Sequence, residues 1–172
     1  MPESDCLLQN MNFVLRHEAM LKPFVCVPCE KVIIAKEADV PSLIGLISRL
    51  ILTVPADTDI PKDAVAPKEW FVFSIWDSEP GDEQREFVLC TQVVYPDKTQ
   101  FGQIGKLKIP VEPKKRSQML IQLQGFPIGQ AGTYTVRTWV EEKEQLVVGP
   151  LEFTIEVEII RAAAPQKTSP SP

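Results

Sequence analysis

Apolar and polar residues alternate along the second half of the chain in short runs separated by turn-forming residues. The cleanest runs are Gln118–Gln124, Gly132–Val140 and Leu151–Ile160. Successive side chains of a strand point to opposite faces, so a period of two predicts a strand with one buried face. In the first run Met119, Ile121 and Leu123 share one face against Gln118, Gln122 and Gln124, with Leu120 an apolar exception among the glutamines. In the second, Tyr134, Val136, Thr138 and Val140 oppose Thr133, Thr135, Arg137 and Trp139. In the third, Leu151, Phe153, Ile155, Val157 and Ile159 oppose Glu152, Thr154, Glu156 and Glu158.

Upstream the pattern predicts more of the same. Glu69–Trp76 is apolar on both faces, as a central strand requires. Asp77–Glu83 contains adjacent Pro80 and Gly81, which suit a β-turn, and Arg85–Tyr95 is its antiparallel partner. Pro96–Thr99 turns the chain into a strand at Phe101–Val111, and Glu141–Gln145 is a charged hairpin turn. Phe24–Val27 and Lys31–Ile34 read as two short strands or as one strand interrupted at Pro28. Ser42–Val54 reads as one long strand bulged near Gly45 rather than as a buried helix, because of its β-branched residues and the prolines at 41 and 55. Residues 55–68 read as a loop. Strands at this spacing, with no helical crossover between them, predict an all-β chain: an immunoglobulin-like antiparallel β-sandwich of about 7–9 strands.

Three segments follow from this reading. Residues 1–22 are a leader or a short N-terminal helix, with Leu8, Met11, Val14, Leu15 and Leu21 near helical spacing and Pro23 ending it. Residues 23–160 are the sandwich, and residues 161–172 are expected to form a disordered tail.

Composition narrows the function. The 16 prolines favour many short connections. A net charge of −5 argues against nucleic acid as a partner, since phosphate contacts need a cationic footprint. Lys114-Lys115-Arg116 reads as a solvated loop. The first residues are acidic where a secretory signal is basic, and the longest apolar run, Leu43–Val54, is broken by Ser48 and Arg49. No membrane partner is therefore expected, and the expected address is cytoplasmic.

Candidate chemistry is sparse. Cys26-Val27-Pro28-Cys29 has the spacing of a redox or metal pair, but it lies among strand formers. Only Cys6, Cys90 and His17 remain to complete a metal site, at irregular spacing. Asp57, Asp59 and Asp63, and then Asp77, Glu79 and Asp82, sit in loops without a known calcium spacing, so they read as solvated turn residues. The single histidine, His17, removes most acid–base and triad schemes. Trp70, Trp76 and Trp139 can serve a core or a binding platform, and Trp139 is the one expected to be partly exposed. The sequence thus assigns no catalytic residue, no metal ligand and no cofactor, and it leaves the binding residues open.

Two stretches carry a family resemblance. Gly125-Phe126-Pro127 followed by Ala131-Gly132-Thr133-Tyr134-Thr135-Val136 looks like the penultimate strand of immunoglobulin-like domains, in which a tyrosine hydroxyl ties down a corner. Together with Cys29-Glu30 leading into a strand and Ser42-Leu43-Ile44-Gly45-Leu46, it resembles a family of small bacterial immunoglobulin-like β-sandwich domains of unknown function. The resemblance covers residues 24–160. It implies the sandwich fold, and no inter-sheet disulfide, since Val136 stands where that cysteine would be. It brings no activity. The expected role is a non-enzymatic protein-interaction or structural module, with another protein or a second copy pairing through an edge strand. A small-molecule or glycan-binding sandwich is the alternative, and a carboxylate-based hydrolase comes third.

Overall fold

A computed structural model describes residues 21–34, 41–112 and 116–162. The described residues form nine strands: β1 (Lys22–Ile34), β2 (Pro41–Leu46), β3 (Arg49–Pro55), β4 (Val65–Asp77), β5 (Phe87–Val94), β6 (Gln100–Ile109), β7 (Arg116–Pro127), β8 (Gly132–Glu142) and β9 (Gln145–Ala162). One 3-10 turn at Asp82–Gln84 precedes β5. Strands β2-β1-β4-β7 make a first sheet and β3-β9-β8-β5-β6 a second. The fold is all-β, two sheets, mostly antiparallel. The segment read as a leader or helix lies outside the described residues, apart from Leu21 and Lys22.

The alternating runs do what their period predicts. Tyr134, Val136, Thr138 and Val140 of β8 are all buried, as are Ile155 and Val157 of β9, whereas Arg137, Glu152, Thr154 and Glu156 are exposed. Between the sheets these side chains meet Trp70, Val72 and Trp76 of β4, Leu89 of β5 and Phe126 of β7. Fully burying an aliphatic or Phe side chain contributes roughly 1.5–3 kcal/mol, so this layer dominates the stability. Two pairs of buried polar side chains meet within it: Trp76 Nε1–H donates to Ser74 Oγ at 2.9 Å, and the Thr91 and Thr138 hydroxyls lie 3.2 Å apart.

Two expectations are corrected. Ser42–Val54 is not one strand. Gly45 adopts φ +63°, a conformation that favours glycine, and Ile47 turns into the core at 5% exposure. Ile47 N–H then donates to the Pro28 carbonyl in the first sheet, and the Ser48 carbonyl accepts from Glu156 N–H in the second. The chain changes sheets at this step, so burying one isoleucine splits the apolar run in two. The sandwich is also not wholly antiparallel, because β3 emerges from the crossing running alongside β9 and pairs with it in parallel, Arg49 with Glu156 through Pro55 with Ala162. The 23–34 segment is one continuous strand, and β9 starts earlier than expected, at Gln145.

Candidate functional site

The cysteine pair separates by parity. Cys26, at 6% exposure, belongs to the core between the sheets and lies opposite Ser74. Cys29 is three residues on, so it turns to the other face, opposite Phe71 and Leu46, and is fully buried there. Burial pushes the Cys26 thiol up to about 11, partly offset by the Thr138 hydroxyl, and burial raises Cys29 too. Cys90 is also pushed up to about 11, by burial and then by the neighbouring Glu141 carboxylate. A thiol held above its ordinary value is a poor nucleophile at neutral pH. Among the described residues no three His, Cys, Asp or Glu side chains converge as a metal site. Cys6 and His17 lie outside the described residues.

The loop carboxylates are taken up by cations rather than by one another. Asp77 accepts from Arg116 Nε at 2.7 Å, and Glu79 pairs with Lys22. Asp82 is the unusual one, with no exposed surface. Its Oδ2 accepts from Glu79 N–H at 2.8 Å, while Oδ1 has no hydrogen-bond partner and faces Arg85 at 3.6 Å. Arg85 is shared: it grips Glu142 through Nε at 3.0 Å and Nη2 at 2.5 Å and lies 4.9 Å from the Phe87 ring centroid. Asp57, Asp59 and Asp63 are exposed. Lys114 and Lys115 lie outside the described residues, and Arg116 stacks over Phe24.

The tryptophans divide as well. Trp70 and Trp76 are buried at 1% and 0% exposure. Trp139 is half-buried on the outer face of the second sheet, where its Nε1–H donates to Glu141 at 2.8 Å, and Lys106 reaches the same carboxylate at 2.9 Å. The outer face of the second sheet continues as a lattice of ion pairs: Arg137 with Glu152, Lys108 with Glu86, and Arg49 with Glu158.

Two features were not legible as sites in the sequence. The first is the edge strand β2. The other three edges carry charge, Arg49 on β3, Lys106 and Lys108 on β6 and Arg116 on β7, whereas Pro41–Leu46 carries none. Ile44 is 46% and Leu46 64% exposed, and Ile33 and Ile34 of the paired β1 are also exposed. Charges on edge strands block pairing with foreign strands, so β2, which has only Pro41 and its short length, lacks that guard. The second is a cleft of about 180 Å³ between β6 and β7, whose lining includes residues Trp70, Gln92, Phe101, Gln103, Leu123 and Gln124. A search for three-dimensional neighbours among these residues in the sequence would fail, because they come from four strands.

No family model matches this chain, and no curated protein matches it.

Proposed function

We propose that the chain is a non-enzymatic interaction module that pairs the free edge of β2 with a strand of a partner, and that the partner to test first is a second copy. One observation carries this reading: β2 is the only edge strand among the described residues without a charged side chain, and it exposes Ile44 and Leu46 beside Ile33 and Ile34. Strand addition to such an edge draws affinity from main-chain hydrogen bonds and specificity from alternate side chains. Two-fold dimers are the commonest oligomers, and an antiparallel strand pair is self-complementary about such an axis. A role without catalysis fits carboxylates that are held in ion pairs with lysine and arginine.

The finer fold reading is immunoglobulin-like, in line with the resemblance to the small bacterial sandwich domains. Its support is the order β1-β4-β7 against β9-β8-β5, which matches A-B-E against G-F-C, with β6 added beside β5 as in variable-type domains. Tyr134 adds to it: its hydroxyl donates to the Gln130 carbonyl at 2.9 Å and accepts from Gln130 N–H at 3.2 Å, a tyrosine corner. The three cysteines among the described residues are free, buried thiols, which suits a reducing compartment such as the cytoplasm.

The test is the mass of the full chain in solution across a concentration series, compared with Ile44→Lys. The expected result is a mass approaching two chains that returns to one in the variant. A single-chain mass at every concentration, with no neighbour cross-linked to β2 in an extract of the source cell, would overturn the proposal.

A further inference from the structure

The free edge of β2 is defined by which of its main-chain groups face away from β1. Ile47 N–H donates to the Pro28 carbonyl at 3.1 Å, one step beyond the pairing of Leu46 with Cys29. In an antiparallel ladder hydrogen-bonded and non-hydrogen-bonded pairs alternate, and each residue turns its N–H and C=O to the same side of its strand. Residue 47 faces β1, so residues 45, 43 and 41 face β1 too. Ser42, Ile44 and Leu46 therefore turn their N–H and C=O to the open side. Gly45, at φ +63°, does not shift this phase: Lys31 pairs with Ile44 and Cys29 with Leu46, with no extra residue on either strand.

Pro41, which has no N–H, stands at a position that faces β1. The donor it lacks is missing beside Ile34 and not from the open edge. At the other end the chain leaves the sheet at Ile47, 5% exposed, to enter the second sheet as β3. Three donors and three acceptors are thus open, spaced evenly about Ile44. The side chains of residues 42, 44 and 46 also share one face, where Ile44 is 46% and Leu46 64% exposed.

An edge with this symmetry is complementary to itself. A two-fold axis beside Ile44 sets it opposite the partner's Ile44, and sets Ser42 opposite the partner's Leu46. All three pairs are then of the hydrogen-bonded type, two bonds to a pair, and every open group is used. A slip of two residues loses a third of these bonds. A slip of one sets Ile44 against Leu43, whose groups face β1. Any extended strand offers donors and acceptors, but a second copy also offers the same open length, ending two residues either side of Ile44.

Given the pairing edge at β2 proposed above, we infer that its partner is a second copy of this chain, joined in this one register through Ser42, Ile44 and Leu46. The two four-stranded sheets become one continuous sheet of eight strands, with the Ile44 side chains of both copies meeting on its outer face.

The experiment is oxidative cross-linking of the full chain carrying Cys6→Ser, in which the remaining cysteines are buried, alongside its mass in solution. With Ile44→Cys added, the two new thiols lie across a hydrogen-bonded pair, Cα atoms about 5.5 Å apart, inside the disulfide range of about 4.4–6.8 Å. With Ser42→Cys they stand four residues out of register, roughly 13 Å apart. Ile44→Cys should give the disulfide dimer at least about tenfold faster than Ser42→Cys. Amide hydrogen exchange on the unsubstituted chain is the second measurement. The Ser42, Ile44 and Leu46 amides should slow as concentration rises, while that of Leu43, already facing β1, should not change. A dimer in which Ser42→Cys cross-links as fast as Ile44→Cys overturns the register and leaves the edge at β2. A dimer without slowing of those three amides puts the contact elsewhere and overturns both. A single-chain mass at every concentration overturns this inference, and the edge reading falls with it if no neighbour cross-links to β2 in an extract.

Discussion

The β1–β2 and β8–β9 hairpins are the same device built from opposite materials. At the β8–β9 end, Glu141 and Glu142 are tied to Lys106, Trp139 and Arg85, and through Arg85 to the buried Asp82. That hairpin satisfies its own side chains and is anchored to the body of its sheet. The β1–β2 hairpin presents Ile33, Ile34, Ile44 and Leu46 to solvent, and its ion pairs, Lys22 with Glu79 and Glu30 with Lys68, are both made from β1. The difference teaches where each hairpin finds its energy. The charged one is completed inside the chain, whereas the apolar one, though β1 buries Cys26 and Cys29, leaves four large apolar side chains exposed.

The largest way to break this comparison is Arg85→Leu. It leaves Asp82, with no exposed surface, facing no cation, and releases Glu142; removing one partner of a buried pair costs about 3 kcal/mol. A urea denaturation curve should show the midpoint fall without a change of slope. Acid should act on the same hairpin. The Glu142 carboxyl is held below its ordinary 4.5 by its hydrogen bonds from Arg85, and Glu141 by those from Trp139 and Lys106. Since the folded values lie below the unfolded ones, their stabilisation is present above about pH 4.5 and is lost as pH falls through the depressed folded values. Glu142→Gln should flatten the dependence of the urea midpoint on pH below 4.5, and an unchanged slope would remove this account.

A gain is expected from the turn. Lys143 and Glu144 both adopt positive φ, +49° and +64°, where neither side chain is at ease. Two-residue turns of this form prefer Asn-Gly, so Lys143→Asn with Glu144→Gly should raise stability by about 1 kcal/mol in thermal unfolding. The smallest effect belongs to the other hairpin. Ile44→Lys, on the exposed edge, should leave monomer stability within about 0.5 kcal/mol of the parent while changing association. A loss of several times that amount would mean the β1–β2 edge is already covered within the chain, and the contrast would fail.

The thiols show how far side-chain parity alone can carry a reading. Placing Cys26 and Cys29 on one strand is enough to put them on opposite faces, so they cannot act as a pair, and this follows once Pro28 is recognised as lying inside a strand. The sequence reading left open whether Pro28 interrupts that strand, so the separation became visible only in the structure. The split of Ser42–Val54 was illegible for a different reason. An apolar run says that its residues are buried, not in which sheet, and Ile47 is buried at the crossing point as surely as it would be within a strand.

What the sequence determined by itself is therefore what depends on neighbours along the chain. The faces of β7, β8 and β9, including the inward placement of Tyr134, the turn at Pro80-Gly81 and the charged hairpin turn all follow from a period of two and from turn chemistry, which act over a few residues. Tertiary structure decided everything that depends on which strand lies beside which: the parallel pairing of β3 with β9, the change of sheet at Ile47-Ser48, the uncharged edge at β2 and the glutamine-lined cleft. Those are set by packing between residues far apart in the chain, and no local period records them.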